Sequence, residues 1–220
     1  VQQPIDACQA DSTVLVLFGD VPLIADQTLH KVISAAKTGV AMLSANLENP
    51  SGYGRVERDL QGEFIAVVEE KDATEAQRQL TEINTGVLAS NADALKAWLA
   101  RVDNQNAQSE FYLPDVLGLA RLDGEVVTVV CSDNVFDTLG VNSPQQLEQL
   151  ERLHQASLAD QLMTAGVLVS DRSRLDIRGR LECGRDVQLD VNVLIEGDVS
   201  LGDAVSIGAN CILRNARIGA

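Results

Sequence analysis

Aromatic side chains are scarce in this chain: Phe, Tyr and Trp together make up 3% of its 220 residues, although 45% are hydrophobic. Its core must therefore be aliphatic and small, and the length suffices for one large domain or two small ones. Basic charge is also in short supply. Against 32 Asp and Glu stand 17 Lys and Arg, a net charge of −15. Phosphate backbones and anionic lipid would repel such a chain, so no general nucleic-acid or membrane-surface role is expected. No run approaches the roughly 18 uninterrupted apolar residues of a membrane span, and no basic-then-apolar leader opens the chain. Cys8, Cys131, Cys183 and Cys211 are scattered with no C-x-x-C pair, and only 2 His are present. That argues against zinc and for reduced thiols in a cytoplasmic setting. The chain opens on Val1, inside a helical pattern and without a Met, and so reads as a piece of something longer.

What is there falls into three zones. Residues 1–142 alternate apolar strand runs with helical patterns, as a layered α/β domain does. Thr13–Phe18 is a continuous β-branched and aliphatic run, suited to a strand buried on both faces. Gly19-Asp20-Val21-Pro22 ends it, and a helix is expected from about Asp26 to Ala36. Further strands are expected at Val40–Leu47, Ile83–Leu88 and Val126–Val130, with a hairpin from Arg55–Arg58 to Phe64–Glu69. Helices are expected at Ala73–Leu80, Ala92–Leu99 and about Leu113–Leu122.

Residues 143–166 read as a helical connector. Ser143 supplies the cap, Pro144 the first helical position, Gln146 the third residue of a capping box, and Gly166 the stop.

Residues 167–220 carry a six-residue repeat. Ile177, Cys183, Leu189, Ile195, Leu201, Ile207 and Leu213 lead successive hexads, and Leu181, Val187, Val193, Val199, Val205 and Cys211 stand four residues after leaders. A period of six fits neither a helix nor a simple strand. It fits a triangular β-solenoid in which each hexad is a short strand and a turn, with leaders pointing into a narrow interior. Gly184, Asp190, Gly202 and Gly208, beside the leaders, would serve the corners. The phase breaks at the end, where Ile218 arrives one residue early.

Candidate chemistry is spread along the first zone, and each piece has a plainer account beside it. Asp20, after Phe18-Gly19, offers hard oxygens for a divalent metal, or is only a turn carboxylate. Gly52-Tyr53-Gly54 would let backbone N–H groups approach a ligand, or is only a tight turn lacking any phosphate-loop spacing. Glu69 closes a β run and can accept hydroxyl hydrogen bonds, or is a solvated strand end. Asn84-Thr85-Gly86 interrupts a β pattern with an amide that both donates and accepts. Asn142 precedes the helix cap and belongs either to it or to a site. His30 and His154 lie on helical stretches without ligand-spaced partners, and no Ser/His/Asp or Cys/His arrangement is readable.

Taken in order, several stretches resemble the bifunctional bacterial N-acetylglucosamine-1-phosphate uridyltransferase/glucosamine-1-phosphate acetyltransferase family. They are Phe18-Gly-Asp-Val-Pro-Leu23, Asn49-Pro-Ser-Gly-Tyr-Gly-Arg55, Val68-Glu-Glu-Lys-Asp-Ala-Thr74, Glu82-Ile-Asn-Thr-Gly86, Asn106-Ala-Gln-Ser-Glu-Phe-Tyr-Leu113 and Gly140-Val-Asn142, followed by a helix and hexads. The resemblance implies an incomplete Rossmann-like nucleotidyltransferase domain (1–142), a helical linker (143–166), and the first coils of an incomplete left-handed parallel β-helix (167–220). It implies that Asp20 and Asn142 hold Mg²⁺. Gly54, Glu69 and Asn84 would contact the N-acetylglucosamine and ribose portions of UDP-N-acetylglucosamine, and Phe18 stands where the family more often has Tyr. UTP, N-acetylglucosamine-1-phosphate and, for the acetyltransferase site, acetyl-CoA are the implied partners, in a cytoplasmic homotrimer formed through the β-helix.

The family's loop L-x-x-G-x-G-T-R-M and its Pro-Lys pair have no counterpart here, and its acetyltransferase residues would follow Ala220. No catalytic residue is therefore assigned in this chain, and the isolated chain is expected to be inactive. The alternatives are a non-catalytic trimerising solenoid module, or a nucleotidyltransferase for another sugar or base.

Overall fold

The alternating apolar run at 39–46 becomes the centre of the first unit, because both of its faces are covered. In the computed structural model, which describes residues 2–219, Val40 and Met42 of β2 (Gly39–Asn46) enter one apolar cluster and Ala41 and Leu43 enter another. This is the period-two alternation of a strand with a helix layer on each side. Val1, expected within a helix, lies outside the described residues. The elements around β2 are α1 (Gln2–Ile5), β1 (Thr13–Val16), α2 (Asp26–Ala35), β3 (Arg55–Arg58), β4 (Phe64–Val68), α3 (Glu75–Arg78), β5 (Glu82–Asn91), α4 (Ala92–Leu99), α5 (Asp115–Leu122) and β6 (Val126–Ser132). Val32 of α2 packs with Ala41 and Leu43 on one side of the sheet. On the other, Leu95 and Trp98 of α4 and Val116 and Leu117 of α5 pack with Val40 and Met42.

The sheet runs β4-β3-β5-β2-β6, and β1 also pairs with β5. Only β2 and β6 pair in parallel; the other pairs among the described residues are antiparallel. With β2 along one edge of β5, the other edge must hold both β1, beside Leu88–Asn91, and β3, beside Ile83. Between them residues 84–87 of β5 have no strand partner on that edge.

Four sequence expectations change. The run Thr13–Phe18 is a strand only to Val16 and is half-exposed, because β5 is its sole partner among the described residues. The helix expected at Ala73–Leu80 is the single turn Glu75–Arg78, closed by a capping box between Thr74 and Gln77. The strand expected at Ile83–Leu88 is the longer β5 (Glu82–Asn91), with Asn84-Thr85-Gly86 an irregularity inside it. At these corners the left-handed positions are Asp186, Asn192, Ala204 and Asn210, two residues beyond Gly184, Asp190, Gly202 and Gly208, and Gly197 and Asn215 are left-handed at another corner. Gly184 is small for another reason: a Cβ there would lie 2.4 Å from Asp203 Oδ1.

The second unit begins at Val141. Its helix α6 (Pro144–Thr164) starts as the sequence indicates, with the Ser143 hydroxyl accepting the Gln146 N–H. It ends at Gly166, whose φ of +95° is reached without penalty because glycine has no Cβ. Ala159, Leu158 and Leu162 of α6 pack into the apolar cluster of the repeats.

The hexads form stacked parallel sheets. β8 (Leu175–Cys183) and β10 (Val193–Leu201) pair along their full lengths, with Ile177 opposite Ile195, and β12 (Ile212–Arg214) brings Leu213 onto Ile195. A second sheet stacks β7 (Leu168–Val169), β9 (Gln188–Leu189) and β11 (Ser206–Ile207). Side chains repeat the same step: Arg185 to Asp203, Asn192 to Asn210 and Arg214 to Glu196 each span 18 residues. Such parallel sheets are compatible with a β-helix. The early Ile218 is accommodated by a coil one residue shorter: β13 (Arg217–Ile218) sets Ile218 against Leu201, and Asn215 accepts the Asp198 N–H across 17 residues.

The leaders fill the interior, with Ile195 fully buried and Leu189 at 1% exposure. Cys183 and Leu213 are only partly buried but pack on the same cluster. Truncating Ile195 to Ala leaves a cavity and is expected to lower unfolding free energy by about 2–5 kcal/mol. Ile212→Ala, at a side chain 66% exposed, is expected to stay within about 0.5 kcal/mol. Urea melts of both variants check this; equal shifts would refute the inward placement of the leaders.

Candidate functional site

The unpartnered stretch of β5 is where the sequence-expected residues gather. Opposite it the ladder slips: Met42 pairs with Leu88 and Ser44 with Asn84, so Leu43 alone faces Thr85, Gly86 and Val87. Gly86 takes φ +79°, which a side-chain-bearing residue rarely adopts. The carbonyl of buried Leu43 is satisfied by the Thr85 hydroxyl at 2.8 Å, and Asn84 Oδ1 accepts the Gly86 N–H at 2.9 Å. The bulge thus leaves the Asn84 amide nitrogen without a partner among the described residues.

Phe18 covers this bulge. A Cβ on Gly86 would fall 1.8 Å from the Phe18 ring, so the ring lies directly on the bare Cα. Phe18 as a whole is 48% exposed.

The glycine turn closes the gap from the β3 side. Ser51 N–H donates to Asn49 Oδ1 at 3.2 Å, Tyr53 N–H to the Pro50 carbonyl at 3.2 Å, and Gly52 N–H to the Glu70 carboxylate. Buried Gly54 then accepts the Asn84 N–H on its carbonyl at 2.9 Å. A Cβ at Gly54 would lie 2.9 Å from Glu69 Oε1, so the Glu69 carboxylate rests over this Cα as Phe18 rests over that of Gly86. Beyond Glu69 opens a cleft of about 620 Å³ lined by Gly52, Glu69, Glu70, Lys71, Arg78 and Gln108.

Burial pushes the Glu69 carboxyl above its ordinary range, helped by the negative charges of Asp115 and Asp72; the Arg55 guanidinium opposes the shift. Asp115 is raised in the same direction, by burial first and then by Asp103 and Asp72. Glu82, at the start of β5, goes the other way. Burial opposes its ionisation, but Arg58 Nε and Nη2, each at 2.7 Å, and the Ser44 hydroxyl at 2.6 Å outweigh it.

Phe18, Gly54, Glu69 and Asn84 are therefore neighbours around one gap in the sheet edge. Asp20 lies two residues beyond Phe18, exposed, with no hydrogen-bond partner among the described residues. Asn142 belongs to the second unit, exposed, with its backbone N–H on Gln146 Oε1 at 2.7 Å. Two neighbours were given no site role from the sequence. Gly86 carried a legible signal, a glycine inside a β run. Arg55 carried none: it is 2% exposed, donates to the Tyr53 carbonyl, and its Nε has no partner among the described residues.

The chain is 50% identical over 220 residues to the bifunctional protein GlmU of Azoarcus sp. (strain BH72), covering 100% of this chain and 49% of that protein. It is 52% identical over 207 residues to the same protein of Aromatoleum aromaticum, covering 94% and 46%, and 48% identical over 221 residues to that of Paraburkholderia phytofirmans, covering 100% and 49%. From end to end, this chain corresponds to about half of a GlmU protein. It spans about half the length of the curated GlmU relatives it matches. No protein-family model matches it. In fold it is similar to a Bacillus anthracis crystal structure, in complex with sucrose, described as a glucose-1-phosphate thymidylyltransferase. The TM-score is 0.53 at 15% identity, over 69% of this chain and 58% of that one.

The Glu69 shift has a sign that can be checked. Its folded pKa lies above the unfolded one, so ionisation costs stability: the chain is relatively more stable below the unfolded pKa and loses that margin as pH rises through the folded pKa. Glu69→Gln removes the cost. Urea midpoints are expected to favour the variant over the unaltered chain at pH 8, with the difference vanishing near the ordinary glutamate pKa of about 4.3. A pH-independent difference would contradict the burial of this carboxylate.

Proposed function

We propose that the first unit forms the sugar-recognising side of a uridylyltransferase site. The whole protein, on this reading, is the bifunctional enzyme of UDP-N-acetylglucosamine biosynthesis. It transfers an acetyl group from acetyl-CoA to glucosamine-1-phosphate and then a uridylyl group from UTP to the N-acetylglucosamine-1-phosphate so formed. In the second reaction the sugar-1-phosphate oxygen attacks the α-phosphorus, a new P–O bond forms, and the α–β bridge breaks to release pyrophosphate.

The observation that carries this reading is the convergence of Gly54, Glu69 and Asn84 around one gap, with Phe18 over Gly86. The chemistry suits a sugar. The Glu69 carboxylate can accept from hydroxyl groups. With its oxygen committed to Gly86, the Asn84 amide can donate from nitrogen to a carbonyl such as that of an N-acetyl group. Asp20 and Asn142 are assigned to Mg²⁺ on the resemblance, and their donor types fit it: one carboxylate and one amide oxygen suit a small hard cation that keeps several waters and takes phosphate oxygens. Mg²⁺ held there would neutralise charge gathering on the phosphates.

The remaining parts of the reading rest on the same relationship. The 18-residue stacking supports a left-handed β-helix of hexapeptide repeats over 167–220, preceded by a linker helix over 143–166 and the nucleotidyltransferase part over 1–142. Such coils would associate as a homotrimer. A cytoplasmic location fits four free cysteines and the absence, among the described residues, of any helix long and apolar enough to cross a membrane.

Calorimetric titration of the chain with UDP-N-acetylglucosamine, with and without Mg²⁺, tests the proposal. Asn84→Ala and Gly86→Ala are each expected to weaken binding by about tenfold or more, and Asp20→Ala to remove the Mg²⁺-dependent part. Circular dichroism identifies any variant that fails to fold. Unchanged binding in all three variants, or equal affinity for a dTDP-sugar, would overturn the assignment.

A further inference from the structure

The carboxylate of Asp137 is fully buried and belongs to no motif noted in the sequence. It sits in a one-turn 3-10 helix, Val135–Thr138, just after β6. One oxygen, Oδ1, accepts the Ala25 N–H at 2.8 Å and the Asn134 amide at 3.4 Å. The other, Oδ2, accepts the Thr28 hydroxyl at 2.7 Å and the Ser132 hydroxyl at 2.6 Å.

Two of these partners lie at the start of α2, more than one hundred residues away in sequence. Ala25 occupies the N-cap position of that helix and has no side chain able to cap it. An uncapped helix start leaves N–H groups unsatisfied and a partial positive charge unopposed. Asp26 already places a carboxylate in the first turn; Asp137 supplies the missing acceptor, and a further negative charge, from outside the helix. The following residue, Thr138, accepts the hydroxyl of Tyr53 on its carbonyl at 3.4 Å. A single short turn therefore grips the start of α2 and the glycine turn that carries Gly54.

The segment between β1 and α2 holds Phe18 and Asp20. Its upstream end is fixed by pairing of β1 with β5, and Phe18 rests on Gly86. Its downstream end is fixed at Ala25. We infer that Asp137 is a positioning residue for this segment: it stands in for the missing cap of α2 and so holds the Asp20 loop beside the Gly54 turn. Its consequence for metal and nucleotide-sugar binding rests on the reading of Asp20 proposed above.

Asp137→Asn keeps the size of the side chain and removes its charge and one acceptor. Asn91→Ala serves as a matched control, since Asn91 caps α4 by accepting from Asp93 and Ala94 N–H. In the 220-residue chain, Asp137→Asn is expected to speed exchange of the Ala25 amide by about tenfold. It should also lower the heteronuclear NOE of the Gly19 and Asp20 amides, which reports loop motion on the picosecond-to-nanosecond scale. The Mg²⁺ concentration giving half-maximal binding of UDP-N-acetylglucosamine should rise about fivefold. Asn91→Ala should lower the melting temperature while leaving these three readouts in place.

Unaltered Ala25 exchange and loop NOE in Asp137→Asn would overturn the inference. So would equal changes in Asn91→Ala, which would show only a general loss of stability. A lack of any Mg²⁺ response in the unaltered chain would instead remove Asp20 from the metal site, with the exchange and NOE readouts still deciding the role of Asp137.

Discussion

The first unit depends on one hydrogen bond, from the Thr85 hydroxyl to the carbonyl of Leu43. Leu43 lies at the middle of a strand covered on both faces, and the ladder slip in β5 takes its carbonyl out of register. An unmade hydrogen bond at a buried carbonyl costs about 1–3 kcal/mol. Thr85 removes that cost from within the bulge itself, at 2.8 Å. The irregularity can then persist in the centre of the sheet, and everything at the site follows from it. Gly86 reaches its positive φ, Asn84 turns its oxygen back onto Gly86, Phe18 finds a flat place to lie, and a gap opens between β1 and β3.

The second unit is governed differently. No single contact decides it; its stability is repeated, each coil covering the one before. Ile177, Ile195 and Leu213 meet in a column, as do Leu189 and Ile207. Aliphatic residues fill the column because the interior is narrow, and residues 141–220 contain no Phe, Tyr or Trp. The 17-residue step at Asn215 shows how the stack absorbs a missing residue: the Asn215 side chain takes a backbone N–H that a full coil would have paired otherwise.

These two regimes explain what was legible beforehand. The hexads were readable because each leader meets the same environment one coil away, so one rule covers them all. Their corners were placed two residues early, since Gly184 is small to make room for Asp203 rather than to turn the chain. The ends of α4 and the caps of α6 were readable because their partners lie within a few residues. Burial of Thr13–Phe18 was not, since apolar composition does not reveal how many neighbours a strand has. The continuity of β5 through Asn84-Thr85-Gly86 depends on Leu43, 42 residues away, and the acceptor that caps α2 lies 112 residues on. Such contacts leave no periodic trace in a single sequence.

The charge of the site also orders its possible ligands. Besides burial, Asp115 and Asp72 raise the cost of ionising Glu69, and Asp103 and Asp72 that of ionising Asp115, with buried Arg55 the opposing charge at Glu69. A phosphate group brought to that neighbourhood would add to the same repulsion. Neutral hydroxyl groups would relieve it, because each donates a hydrogen bond to a carboxylate that burial has left short of partners. The Glu69 side of the gap is thus suited to the uncharged part of a nucleotide-sugar. On the reading proposed above, the phosphates lie where cationic charge can be supplied, beside Asp20, which is exposed and has no side-chain hydrogen bond among the described residues. On that same reading, a sugar end lined by carboxylates and a phosphate end that takes its positive charge from a metal would let so acidic a chain handle an anionic substrate.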